Sequence, residues 1–209
     1  MSDVRPTVFI VDDDLSVRES LEALIAVMGW EPRTFMSAQE FLDAAPASGP
    51  SCLVLDVSLP DLSGLDVQAL VAPDRIDMPI IFITGHGDIP MSVQAMKAGA
   101  AEFLTKPFND DVLLAAIRGA LESSRAAIGE QAARQVLRDR YATLSRRERE
   151  VMALVVLGLL NKQVGGELGI SEITVKAHRG RVMEKMQARS LADLVRMSGT
   201  IARSTSANS

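Results

Sequence analysis

Asp12, Asp13, Asp56, Thr84 and Lys106 each stand just past a short apolar run, and together they make a set suited to a divalent metal and a phosphoryl group. Asp12-Asp13 follow Val8 to Val11, Asp56 follows Leu53 to Leu55, Thr84 follows Ile80 to Ile83, and Lys106 follows Glu102-Phe103-Leu104 and Thr105. Short apolar runs of this kind read as buried strands. If the strands lie parallel in one sheet, their carboxyl ends gather these groups in the crevice where doubly wound sheets bind ligands. Clustered carboxylates repel, and one of them would hold its proton near neutral pH without compensation. Mg²⁺ resolves this, since it takes octahedral oxygen ligands and keeps several waters; Asp13 and Asp56 suit direct ligation and Asp12 acts through a water. Asp56 can then attack phosphorus to form an acyl phosphate. Lys106 and the Thr84 hydroxyl would grip the phosphoryl oxygens.

The elements that must position these groups lie in the first 121 residues, where strand-like and helix-like patterns alternate as in an α/β fold with a parallel sheet. Val17, Leu21, Leu24 and Met28 mark one face of a first helix, with Asp14 or Ser16 available as its cap. Phe41-Leu42 closes a second helix, and Gly64 to Leu70, Pro90 to Ala98 and Asp110 to Leu121 read as three more. Gly29, Pro60, Gly85, Gly99 and Pro107 punctuate the junctions. Five βα units fill this length and leave no room for a second catalytic lobe. His86 has no second His or Cys at metal spacing and reads as a loop residue.

A chain of 209 residues favours two domains. No apolar run approaches the ~20 residues of a membrane helix, and the amino terminus lacks a signal pattern, so a cytoplasmic protein with no membrane partner is expected. Cys52 is the only cysteine, which excludes a disulfide framework and makes it a small core residue. Charge divides the chain: residues 1–121 carry 7 Lys and Arg against 18 Asp and Glu, net −11, and residues 122–209 carry 15 against 9, net +6, together −5. A basic second domain suits a polyanion, most simply nucleic acid.

Residues 122–142 are rich in Ala, Arg, Glu and Gln without Pro, as in a helical linker. Residues 143–203 read as four short helices. Ser145 and Glu148 form a capping box, Gly158 stops the first helix, Asn161 caps a second ending near Gly169, and Ser171 caps a third reaching about Met186. A short helix, a tight Gly-containing turn and a longer helix make a helix-turn-helix pattern. The Ser/Thr/Asn tail, 204–209, is expected to be disordered.

Val8-Phe9-Ile10-Val11-Asp12-Asp13-Asp14, Leu55-Asp56 with Pro60 and Ser63-Gly64, Ile83-Thr84-Gly85-His86-Gly87-Asp88, Met96-Lys97-Ala98-Gly99-Ala100 and Phe103-Leu104-Thr105-Lys106-Pro107-Phe108 resemble receiver domains of two-component response regulators. Leu144-Ser145, Arg147-Glu148, Gly158 to Val164, Leu168-Gly169-Ile170-Ser171, Thr174-Val175-Lys176, His178-Arg179 and Lys185-Met186 resemble a LuxR-type helix-turn-helix. Together they look like a FixJ/NarL-family transcription regulator over nearly the whole chain. The resemblance implies a flavodoxin-like (βα)5 receiver followed by an all-α DNA-binding domain. It makes Asp56 the phospho-acceptor for a sensor histidine kinase, Asp12, Asp13, Asp56 and the Ser58 carbonyl the Mg²⁺ pocket, and Thr84, Phe103 and Lys106 the switch, with a cis Lys106-Pro107 bond. Ser58 stands where related regulators often carry Arg.

For the second domain, Val175, Val182 and Met186 share the inward side of the recognition helix. The resemblance assigns Lys162, Thr174, Lys176, Ala177, Arg179, Gly180 and Arg181 to double-stranded DNA, and implies a homodimer after phosphorylation through Val93, Lys97, Leu191 and Leu194. Leu191, Leu194 and Val195 equally suit closure of a small helical core, and His178 suits either a phosphate contact or a satisfied structural role. Gly165-Gly166 departs from the small Ala-type pattern expected there. Each glycine costs roughly 0.5–1 kcal/mol inside a helix, which predicts a helix that is loose until it docks. The resemblance implies no enzyme beyond self-phosphorylation and slow self-dephosphorylation. A haloacid dehalogenase-type phosphatase, with Asp12 as nucleophile and Asp14 as acid, would leave Asp56 without a role. A receiver that only dimerises, never phosphorylated, would leave the whole pocket without one.

Overall fold

The computed structural model describes residues 4–71, 77–85 and 89–206; His86 lies outside them. Two compact units divide the chain, 1–129 and 130–209.

In the first unit, β1 (Thr7–Val11), β2 (Glu31–Phe35), β3 (Ser51–Asp56), β4 (Ile80–Thr84) and β5 (Glu102–Thr105) form one parallel sheet in the order β2-β1-β3-β4-β5. Four of these strands carry the apolar runs of the sequence. β2 does not: its residues, Glu-Pro-Arg-Thr-Phe, are all half-buried. It is an edge strand, where Pro32 leaves no central ladder bond unmade and a polar side chain can reach water.

Alternate residues of each strand feed opposite faces, as the two-residue period of a strand requires. Phe9, Val11, Leu53, Leu55 and Phe82 join one core with α2 (Ala38–Asp43), α3 (Gly64–Val71) and α4 (Ile89–Lys97). Val8, Ile10, Cys52, Val54, Ile81 and Ile83 join the other with α1 (Leu15–Val27) and the first turns of α5 (Asp110–Ala142). Burial pushes the Cys52 thiol up to about 12, so it is the inert core residue expected. Of the two cap candidates for α1, Asp14 is used, accepting from the N–H groups of Ser16 and Val17 at 2.8 and 3.4 Å.

α5 runs unbroken through the stretch 122–142, which is helical and continues the helix that opens at Asp110. The second unit adds α6 (Arg146–Val156), α7 (Asn161–Leu168), α8 (Glu172–Met186) and α9 (Leu191–Ser206) around a core of Leu144, Val151, Met152, Val155, Val164, Val175, Val182, Met186 and Leu194. α9 continues to Ser206, into the stretch read as a tail from 204; extending a formed helix adds one bond per residue at little cost. Among the described residues no helix is long and apolar enough to cross a membrane.

Candidate functional site

Strand order decides where the chemistry falls. β1 leads into α1 on one face of the sheet and β3 leads into α3 on the other, so a crevice opens between their carboxyl ends. Asp12, directly after β1, is fully buried, Asp56 at the end of β3 is 5% exposed, and Asp13 faces solvent. One carboxylate oxygen of each lies within 4.8 Å of the others. That is close to the ~4 Å that separates trans ligands at Mg–O distances of about 2.1 Å.

Lys106, reached one residue past β5, lays its Nζ between the two buried acids and donates to Asp12 Oδ2 and Asp56 Oδ2, both at 2.6 Å. Backbone amides hold the other oxygens: Asp14 N–H donates to Asp12 Oδ1 and Ser58 N–H to Asp56 Oδ1, each at 2.9 Å. Burial raises the Asp12 carboxyl above its ordinary range, against the lowering pull of Lys106 and the Asp14 amide. Burial also draws the Lys106 ammonium down, but its bonds to Asp12 and Asp56 outweigh this and leave it raised. Three carboxylates against one ammonium leave a formal charge of minus two, which a divalent cation neutralises. The donor set therefore fits Mg²⁺.

Thr84 ends β4, is fully buried, and its carbonyl accepts the Lys106 N–H at 2.7 Å, tying the hydroxyl-bearing and ammonium-bearing residues through backbone. The Lys106-Pro107 bond is cis, as the resemblance implied. Phe103 is half-buried, its ring 6.2 Å from that of Phe82. On α4, Ile89, Val93 and Met96 are 81%, 45% and 47% exposed at helical spacing, beside an exposed Lys97. Asp14 is committed to its helix cap, which removes the acid of a dehalogenase-type phosphatase, and Asp110-Asp111 open α5 instead of ending a strand.

In the second unit Ser171 caps α8 through Thr174 N–H at 3.2 Å, and Val175, Val182 and Met186 are buried. Lys162, Thr174, Lys176, Ala177, Gly180 and Arg181 are exposed. Arg179 is half-buried and donates to Asn161 Oδ1 at 3.2 Å, so part of its guanidinium braces α8 against α7. Asn161 consequently does not cap α7; Leu160 takes that position, and Gln163 Oε1 accepts the Leu160 N–H at 2.8 Å. Leu194 is fully buried, so the core claims it and the exposed part of the α9 stripe is Leu191 and Val195. His178 is half-buried, and its Nδ1 has no hydrogen-bond partner among the described residues. Gly165 is also no defect: a Cβ there would lie 2.7 Å from the Ile170 carbonyl oxygen, where the turn crosses α7.

Several braces escaped the sequence reading. Glu148 closes the capping box on the Ser145 N–H at 2.8 Å and also accepts from Lys185 Nζ at 2.7 Å, joining the start of α6 to the end of α8. Arg147 donates to the carbonyl of Leu168, the last residue of α7, at 3.2 Å. Asp61 accepts two amides of α2. All but the capping-box half of the first, which the sequence predicts, are contacts across long stretches of sequence with no local signature.

The fold and pocket define an aspartate-bearing phosphoryl receiver, and the second unit a helix-turn-helix reader. Residues 8–118 match the response regulator receiver domain and residues 142–198 match the bacterial regulatory proteins of the luxR family. Nodulation protein W of Bradyrhizobium diazoefficiens is 54% identical over 94% of this chain and 87% of its own, and the transcriptional regulatory protein FixJ of the same species is 42% identical over 91% and 93%. A solved structure of the response regulator StyR superposes with a TM-score of 0.83 at 46% identity, covering 93% of this chain and 98% of that one. The chain belongs to the response regulators that join a receiver domain to a LuxR-type DNA-binding domain, a family of phosphorylation-regulated transcription regulators.

Proposed function

We propose that Asp56 accepts a phosphoryl group from the phosphohistidine of a sensor kinase and that the acyl phosphate so formed promotes dimerisation and DNA binding. The observation that carries this is the Lys106 ammonium held between Asp12 and Asp56 at the crevice between β1 and β3. Asp12, Asp13, Asp56 and the Ser58 carbonyl would hold Mg²⁺, which when bound offsets the carboxylate charge and draws the phosphoryl oxygens in. A carboxylate oxygen of Asp56 attacks phosphorus, the P–N bond of the donor breaks, and the imidazole leaves with the electron pair. Lys106 then gives up its bond to Asp56 and pairs with a phosphoryl oxygen, while the Thr84 hydroxyl takes another. Because Thr84 ends β4 and Phe103 packs on Phe82 of the same strand, inward movement of Thr84 makes room for Phe103 and biases the α4 face, with Val93 and Lys97, towards a second copy.

On DNA, Lys176 and Arg181 are the cations of α8 without a bonded partner among the described residues, Lys162 is a cation of α7, and Thr174, Ala177 and Gly180 complete the groove-facing surface. Leu191 and Val195 remain for contact between copies on DNA. No substrate is turned over; the chemistry is confined to phosphorylation and slow hydrolysis at Asp56. The test is incubation with a small phosphodonor and Mg²⁺, followed by intact mass: one phosphoryl addition on the wild type and none on Asp56→Asn support the proposal, and equal addition on the variant overturns it.

A further inference from the structure

Asp61 lies in the middle of the 57–63 loop between β3 and α3, the loop that carries Ser58. Its carboxylate reaches across to the start of α2, accepting the N–H of Ala38 at 3.3 Å and of Gln39 at 3.0 Å. These amides are donors that a helix cannot satisfy internally. Ser37 covers the next one, its hydroxyl accepting the Glu40 N–H at 3.2 Å, so α2 has two separate caps, one local and one delivered by the loop. Burial alone would push the Asp61 carboxyl up; the Gln39 and Ala38 amides, together with those of Asp61 and Leu62, outweigh it and hold the group below the usual carboxylate range. The ends of the loop are fixed at the pocket itself. Val57 N–H bonds to the Ile83 carbonyl at 3.1 Å, Gly64 N–H bonds to the Val57 carbonyl at 3.0 Å, and a Cβ on Gly64 would sit 2.8 Å from the Asp56 carbonyl oxygen. Between them, Asp61 is the residue of 58–63 that hydrogen-bonds a distant element, among the described residues.

We propose that Asp61 is a positioning residue for the metal and phosphoryl site: by pinning the loop to α2, it fixes the Ser58 carbonyl for Mg²⁺ and the Ser58 N–H that orients Asp56. This rests on the pocket reading given above. The competing explanation is that Asp61 merely stabilises α2, and Ser37 supplies the control because it caps the same helix and, among the described residues, makes no hydrogen bond to the loop.

The experiment uses the full-length chain and its Asp61→Ala, Asp61→Asn and Ser37→Ala variants, with Mg²⁺ affinity from calorimetric titration, phosphodonor labelling rate and thermal midpoint. Asp61→Ala should bind Mg²⁺ about 10-fold more weakly, the loss typical of a residue that orients a ligand, and label more slowly. Asp61→Asn, which keeps one acceptor oxygen, should fall between it and the wild type and serves if the alanine variant does not fold. Ser37→Ala should lose thermal stability alone. Wild-type Mg²⁺ affinity and labelling in both Asp61 variants, or an equal loss of affinity in Ser37→Ala, overturns the positioning role while leaving the pocket intact. A wild-type chain that neither binds Mg²⁺ nor labels at Asp56 overturns the pocket reading and this proposal with it.

Discussion

Lys106 sets the electrostatics of the pocket, because one ammonium serves two carboxylates that would otherwise repel. Removing a ligand and removing this cation should therefore act in opposite directions on the metal. Asp13→Ala is expected to weaken Mg²⁺ binding, and Lys106→Met, which deletes a positive charge beside the metal position, to strengthen it. Calorimetric titration of both decides; weaker binding in Lys106→Met would mean that the ammonium organises the acids more than it competes with Mg²⁺. On α8, Lys176 and Arg181 are both exposed but need not do the same work. Lys176→Ala should cost roughly 1–3 kcal/mol on the cognate site and little elsewhere if it reads a base edge, whereas Arg181→Ala should weaken all sequences alike and reduce the salt slope by about one. An unchanged ratio of specific to non-specific affinity in Lys176→Ala removes its readout role.

Elements show where local sequence suffices and where it does not. The three central strands, β1, β3 and β4, were legible because burial on both faces demands continuous apolar runs, β5 at the other edge showed only through Phe103-Leu104, and the carboxyl-end residues followed from these four strands. β2 was silent because an edge strand is under no such demand. Local caps at Ser145 and Ser171 were readable, while the Arg179–Asn161 and Glu148–Lys185 bonds that brace the helices were not, since nothing in a single helix announces its partner. The glycine pair in α7 divides in the same way. A Cβ on Gly166 meets nothing within 4 Å, so Gly166→Ala should stabilise the domain by about 0.5–1 kcal/mol. Gly165→Ala should destabilise it, because the 2.7 Å approach to the Ile170 oxygen involves backbone that cannot step aside. Thermal unfolding of the two variants would show opposite shifts; two gains would mean that the turn after α7 tolerates a side chain.

Acid sensitivity belongs to the same helices. The Lys185 ammonium and the Ser145 amide hold the Glu148 carboxyl down from 4.5 to about 2. A carboxyl whose folded value is depressed contributes stability that is full above its unfolded value and is lost as pH falls from about 4.5 towards 2. Glu148→Gln should therefore lower the melting temperature at pH 7 and lose less on acidification than the wild type. Parallel curves for the two proteins would show that the bond to Lys185 contributes nothing.

At the scale of the whole molecule, an acidic receiver carries the phosphoryl chemistry and a basic helical unit carries the DNA surface, a division already written in the charges of the two parts of the chain. The family match over both parts joins them into one regulator. What the sequence could not show is which cations of α8 are tied within the fold: Arg179 reads like Arg181 in one dimension, and only the fold reveals that it is bonded to Asn161. Likewise Leu194 reads like Leu191 until packing places it in the core, so Leu194→Ala should cost about 2–5 kcal/mol of stability and Leu191→Ala far less. Coupling between the two units is the central claim. It is tested most directly by titrating a promoter duplex with wild-type and Asp56→Asn protein at one fixed salt concentration, each with and without phosphodonor and Mg²⁺. The account predicts that the donor tightens binding by the wild type and leaves Asp56→Asn unchanged; equal tightening of both, or none in a wild type shown by mass to be phosphorylated, would contradict it.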